Sequence, residues 1–309
     1  MTAAAALSGV WCATLTPLTA AGNPDHARLV AHVRRLLAAG TDGVALFGTT
    51  GEGQSFSVAE RRAGLEALLA AGVAPQRILV GTACAAPTDT IELTRHAVAS
   101  GCAGALVLPP FFFKGVSDEG VYASYARVID GVNDPRLRLY LYHIPQVTSV
   151  DTSTAMVDRL CAAYPGIIAG IKDSSCILEH ELAFVRHFTK LSIFVGFEPH
   201  MPATVAAGGR GTICGIANLY PRALRRLFDA RDEATRRAEL APIEQLVELL
   251  GRFQLNPAFK AIAAHLTGDE GWLGVRPPLV ALTADERAAL LSGLAAIGLD
   301  PVRDGAGPY

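Results

Sequence analysis

Gly166-Ile167-Ile168-Ala169-Gly170-Ile171-Lys172-Asp173-Ser174-Ser175 is an apolar run that ends in one lysine and then breaks into small polar residues. Strands buried on both faces of a parallel sheet read as continuous apolar runs of this kind. A lysine in such a place is costly, because burial disfavours the ammonium and favours the neutral amine. The neutral amine is the form that attacks a carbonyl. On its own the stretch reads more readily as a strand end whose lysine head reaches water along a buried stem. The flanking chain changes that reading.

Upstream, Val10 to Thr16, Gly43 to Phe47, Ile78 to Val80, Gly104 to Leu108 and Leu137 to Tyr142 are short apolar, β-rich runs. Downstream, Ser192 to Val195 and Gly211 to Cys214 complete the set, which with Ile167 to Lys172 makes eight. Helical spacing fills the gaps: Leu29, Val33, Leu36 and Leu37 within Asp25 to Ala39 show it clearly, with Gly40 as terminator. Ser57 with Glu60 forms a capping box for the next helix. Further helices are predicted over 88–100, 117–130, 153–164, 178–188 and 201–207.

Strand–helix alternation of this length implies a parallel sheet, and eight units predict a (β/α)₈ TIM barrel rather than an open sheet. Beyond Tyr220 only helices are expected, over 224–250, 256–266 and 284–297. The expected organisation is a barrel over 1–222 and a C-terminal helical extension over 223–309, packed as one structural unit. The charged segment Arg231 to Arg237 reads as a solvated helix face, and Val302 to Tyr309 as a mobile tail.

Composition agrees with a large core. The chain has 309 residues, half of them hydrophobic, and a mean hydropathy of +0.31. A net charge of −2 leaves no electrostatic footprint for nucleic acid or an anionic membrane. No apolar run reaches the ~18 residues of a membrane span, and the N-terminus lacks a secretory pattern. The six cysteines lie mostly in apolar runs without a Cys-x-x-Cys pair, as small buried hydrophobes in a reducing compartment do. A cytoplasmic, soluble protein is the expectation.

In a barrel, chemistry sits at the C-terminal strand ends. The polar residues there are Thr14 and Thr16, Thr49, Thr50 and Glu52, Tyr140, Tyr142 and His143, and Lys172 with Asp173. Gly48-Thr49-Thr50-Gly51-Glu52-Gly53 lacks the ending of a phosphate loop and the third glycine of a dinucleotide fingerprint. What remains is a tight turn, either a plain βα connection or a cradle of backbone N–H groups for a small carboxylate. Tyr142 is either a core tyrosine or a neutral phenol that passes a proton; His143 should face the opposite way. His180-Glu181 resembles the start of a zinc helix, but Phe184 stands where the second ligand belongs, so neither metal nor cofactor is predicted. Ser174 and Ser175 read as helix caps.

Together these residues resemble the class I, Schiff-base lyases that include dihydrodipicolinate synthase, N-acetylneuraminate lyase and 2-keto-3-deoxy sugar-acid aldolases. The likeness runs from Gly9 to about Leu282 and rests on Gly48-Thr49-Thr50-Gly51-Glu52, Tyr142-His143-Ile144-Pro145, Gly170-Ile171-Lys172-Asp173-Ser174-Ser175, Gly208-Gly209-Arg210-Gly211, Asn256-Pro257 and Val275-Arg276-Pro277-Pro278-Leu279. It implies that Lys172 forms an imine with pyruvate or another 2-keto acid and that Tyr142 relays a proton. It also implies that Gly48, Thr49 and Thr50 hold the carboxylate, Thr50 or its neighbour bonding the tyrosine, and that Gly196, Glu198 and Ile213 line the pocket. A homotetramer built from dimers is implied as well.

Two positions depart from the synthase branch. Phe112, in Pro110-Phe111-Phe112-Phe113, stands where that branch has a tyrosine lent by a neighbouring subunit. Val147 stands where it has a carboxylate-binding arginine. The expectation is therefore an aldolase or dehydratase for a 2-keto-3-deoxy sugar acid or related 4-hydroxy-2-oxo acid, with Phe111, Phe112, Phe113 and Val147 near an apolar distal pocket. The alternative is 4-hydroxy-tetrahydrodipicolinate synthase, joining pyruvate to aspartate semialdehyde. A non-catalytic keto-acid sensor is the remaining reading, and it has little need of both Lys172 and Tyr142.

Overall fold

The computed structural model describes residues 6–307. Its strands are β1 (Gly9–Ala13), β2 (Gly43–Leu46), β3 (Ile78–Gly81), β4 (Gly104–Val107), β5 (Leu139–His143), β6 (Ile168–Asp173), β7 (Ser192–Val195) and β8 (Gly211–Cys214). They follow one another in sequence order around a closed barrel. The helices are α1 (His26–Ala38), α2 (Val58–Ala70), α3 (Pro87–Ala99), α4 (Asp118–Val132), the single turn α5 (Pro145–Thr148), α6 (Thr154–Ala163), α7 (Leu178–His187), α8 (Met201–Ala206), α9 (Pro221–Asp229), α10 (Glu233–Leu250), α11 (Leu255–Thr267) and α12 (Ala284–Ala296). The (β/α)₈ barrel with C-terminal helices is thus the fold. No described helix is long and apolar enough to cross a membrane.

The described residues group into two compact units, one of 6–9 and 74–213, the other of 10–73 and 214–307. In the first, the outward side chains Leu139 and Leu141 of β5, Ile171 of β6 and Ile193 of β7 pack with Tyr125, Val157, Leu160 and Phe184 of the surrounding helices. The opposite face of the same strands holds the Tyr140 ring. It fits because Gly104 and Gly170 flank it: a Cβ on either would come within 2.9 and 2.7 Å of the ring. Period-2 alternation then puts Tyr142 and Lys172 on the Tyr140 face, and His143 and Asp173 on the helix side.

In the second unit, Asp25 caps α1 by accepting from the Arg28 N–H, and the helix buries Leu29, Val33 and Leu36. His32 is buried beside them, 3.0 Å from Asn218 Oδ1. Asn218 also accepts from the Leu15 N–H and donates to the carbonyls of Ala13 and Gly215, which fixes the exit of β1. The Ser57–Glu60 capping box of α2 is present with both of its bonds.

Four expectations are corrected. The single helix over 224–250 is two, because Asp232 turns extended and accepts from the Thr235 N–H as a new N-cap. The segment from Val302 is not loose as far as Gly307: Asp304 is fully buried and accepts from Arg226 Nη2 at 2.6 Å, while its carbonyl accepts from the Arg222 N–H. Residues 308 and 309 lie outside the described residues. Of the cysteines expected to be buried, only Cys12 and Cys214 are; Cys84, Cys102 and Cys161 are half-buried and Cys176 is exposed. Ser174 and Ser175 do not cap α7, whose N-cap is Ile177 with no side-chain bond.

Candidate active site

Tyr142 and Lys172 end β5 and β6, and their Cα atoms are register partners in the parallel pair. Both side chains are buried, and Lys172 Nζ lies 4.3 Å from the Tyr142 ring centroid. A lysine seated on a phenol ring at a strand end is the one arrangement the apolar run alone could not distinguish from a head in water. Here the head is inside.

Gly196, just past β7, faces the same lysine. Its N–H donates to the Asp173 carbonyl at 2.6 Å, and a Cβ built on it would lie 3.2 Å from Lys172 Cε and 1.8 Å from Ser174 Oγ. The glycine therefore makes the space that the lysine stem and Ser174 occupy. Glu198 is buried at the start of the short turn Glu198–His200, and Ile213 is buried on β8. Phe112 and Phe113 are each 71% exposed, with their rings edge to face, and Val147 in α5 is 52% exposed. Tyr140 lies two residues before Tyr142 on β5, and burial pushes its hydroxyl pKa up.

In the other unit, the turn after β2 is held from several sides. Thr16 Oγ1 donates to the Gly51 carbonyl at 2.7 Å, and Asn256 Nδ2 to the Thr49 carbonyl at 3.1 Å. Two non-glycine residues, Phe47 (φ 57°) and Glu52 (φ 55°), sit in the left-handed region at its ends. Such residues cost about 1–2 kcal/mol each and persist where the surroundings over-determine them. Gly53 must be glycine, since a Cβ would fall 2.0 Å from the Phe47 carbonyl oxygen. Glu52 supplies the anchor: its carboxylate meets Lys260 Nζ at 2.5 Å, both side chains being fully buried, and accepts from the Arg276 N–H. Burial pushes the Lys260 pKa down, against the pull of Glu52. Thr50 is buried within this turn, while Gly48 and Thr49 are half-buried.

Sequence reading missed the Lys260–Glu52 pair. The signal was a lone lysine inside the buried, mostly small and apolar run 257–264 of α11, where an unpartnered charge does not belong.

Behind β5 and β6, on the helix side as expected for His143, lies a second polar group. Asp173 Oδ2 is 2.6 Å from His180 Nδ1, and the His180 ring stacks on His143 at 4.6 Å. The Asp173 contact raises the His180 pKa, whereas burial lowers that of His143. Glu181, fully buried, has its carboxyl pushed up to about 8 by burial and by Asp173, and meets His200 Nδ1 at 2.8 Å.

Comparison with known proteins decides the family. The dihydrodipicolinate synthetase family model matches residues 6–297. The chain belongs to that family. It is 37% identical over 287 residues to an uncharacterized DapA-like lyase of Chloroflexus aurantiacus, covering 91% of this chain and 94% of the relative. Dihydrodipicolinate synthase from Agrobacterium tumefaciens str. C58 superposes with a TM-score of 0.88 at 36% identity, over 94% of this chain and 99% of that one. YagE, a prophage protein of the same family from E. coli K12 solved in complex with pyruvate, gives 0.82 at 26% identity over 95% and 99% of the two chains. Members of the family are class I, Schiff-base lyases, and this dihydrodipicolinate synthetase family chain is an enzyme of that type.

Proposed function

We propose that Lys172 is the imine-forming residue and that the enzyme cleaves or dehydrates a 2-keto-3-deoxy sugar acid or related 4-hydroxy-2-oxo acid. The observation that carries this reading is Lys172 Nζ over the Tyr142 ring, both residues buried at neighbouring C-terminal strand ends. That is the catalytic end of a barrel. The amine adds to the C2 ketone and water leaves, giving an iminium that withdraws electrons from C3–C4. In the aldolase direction the C4 hydroxyl gives up its proton as C3–C4 breaks, an aldehyde departs, and the electron pair remains as an enamine of pyruvate. Protonation at C3 and hydrolysis release pyruvate and restore the amine. Tyr142 is the proton relay. Gly48, Thr49 and Thr50 hold the C1 carboxylate through backbone N–H groups. Gly196, Glu198 and Ile213 line the pocket, and Phe112 and Val147 belong to its apolar distal side.

The second reading is 4-hydroxy-tetrahydrodipicolinate synthase, favoured by the likeness to the Agrobacterium structure. Phe112 has no hydroxyl and Val147 no charge to offer such a reaction, which supports the first reading. A cytoplasmic homotetramer, a dimer of dimers, is the form the family likeness suggests.

The test is incubation with pyruvate, reduction by borohydride and mass spectrometry of the digest. The adduct is expected on Lys172 and lost in Lys172→Ala. No adduct with pyruvate or any 2-keto acid of a panel overturns the lyase role of this lysine. Turnover of 2-keto-3-deoxy acids against condensation with aspartate semialdehyde then chooses between the two readings.

A further inference from the structure

We propose that His143, Asp151 and His180 form a binding site for a zinc-class divalent ion on the helix side of β5 and β6. Each of the three offers one ligand atom, and these atoms lie within 4.8 Å of one another. They come from three elements: His143 from the end of β5, Asp151 from the loop after α5, and His180 from the first turn of α7.

The donor set suits the ion. Two imidazoles and one carboxylate, with a position left open, are ligands that zinc takes at ~2.0–2.2 Å. Tetrahedral bonds of that length place donors about 3.3 Å apart, so the group must close by roughly 1.5 Å. Asp151 can supply much of that movement, since its side chain is 76% exposed on a loop, and His180 is also open to solvent.

The orientation of His180 is already set. Fully buried Asp173 holds Nδ1 at 2.6 Å, so Nε2 is the nitrogen left to face an ion. A carboxylate on the far nitrogen is the usual outer support of a zinc-bound histidine. His143 supplies the second, independent observation. It is 98% buried, its Nδ1 has no hydrogen-bond partner among the described residues, and its Nε2 stands 3.7 Å from Asp151 Oδ1. That separation is too long for a hydrogen bond. An ion between Nε2 and Asp151 Oδ1 would join a buried imidazole to a carboxylate that stands too far off to bond it directly, while Nδ1 on the other side of the ring keeps no partner among the described residues. The missing second ligand of the His180 helix is thus met from β5 and the following loop, not four residues on at Phe184.

The experiment uses the full-length chain, stripped with a chelator and titrated with zinc chloride by calorimetry and with cobalt chloride by visible absorption. One equivalent of ion should bind, with ligand-field bands of low-coordinate cobalt. Asp151→Asn and His180→Gln should each weaken binding by at least about tenfold, and Asp173→Asn by about 10–100-fold. Asp151→Asn changes an exposed loop position and so keeps the test valid if the buried variants do not fold. Cys176→Ser should bind as the parent does. No stoichiometric binding, wild-type affinity in both Asp151→Asn and His180→Gln, or loss of binding in Cys176→Ser overturns the site.

Discussion

Lys172 Nζ rests 4.3 Å from the centroid of the Tyr142 ring, across one rung of the β5–β6 ladder. The ring is both the surface that buries the lysine and the carrier of the hydroxyl assigned to proton transfer. Tyr142→Phe separates the two roles. It should keep the borohydride-trapped pyruvate adduct while lowering kcat by about 10²–10⁴-fold. A variant that loses the adduct, or that turns over at the parent rate, contradicts the relay.

Gly196 is expected to be intolerant of even one methyl group. An alanine Cβ would stand 1.8 Å from Ser174 Oγ, 2.8 Å from Ser174 Cβ and 3.2 Å from Lys172 Cε, so Ser174 must shift and the lysine stem beside it must give as well. Misplacement by about 1 Å costs on the order of 10²-fold in rate. Gly196→Ala should show that loss in kcat with a near-parental unfolding midpoint. Adding Ser174→Gly removes the closest atoms and should recover part of the rate.

The Lys260–Glu52 pair predicts a stability effect instead. Lys260→Met leaves the Glu52 charge buried without its partner, a change that costs about 3–5 kcal/mol. Urea unfolding should show it. The double variant with Glu52→Gln should be more stable than Lys260→Met alone; if it is less stable, the pair is not what holds the turn.

His32 sets a pH dependence. Burial, with the nearby Arg35 guanidinium, pushes its pKa down from 6.5 to about 3, so the folded protein holds it neutral. Between those values the unfolded chain binds the extra proton, and stability therefore rises with pH and falls on acidification. The contribution is up to about 1.4 kcal/mol per pH unit below pH ~6.5, fully present above it. His32→Gln should flatten this part of the profile when unfolding is compared at about pH 7 and about pH 4. An unchanged slope would show that other groups set it.

Local chemistry wrote much of this protein into its sequence. The eightfold alternation, the Ser57–Glu60 box and the burial of Leu29, Val33 and Leu36 depend on neighbours within a few residues, where periodicity and capping act. Lys172 was legible for the same reason, as one charge closing an apolar run. The break between α9 and α10 was local too, but Asp232 sits inside a charged run that resembles a solvated face and hides a cap.

What only the tertiary structure decided is which side chains meet across elements. Strand register puts Lys172 on Tyr142, and the packing of α11 brings Lys260 to Glu52 and Asn256 to Thr49, 207 residues away in the chain. Register and helix docking likewise gather His143, Asp151 and His180, whose spacing in sequence matches no helical ligand pattern. Sequence carries the period of each element; the partner of each side chain follows from how the elements close upon one another, because contact depends on distance in space and not on separation along the chain.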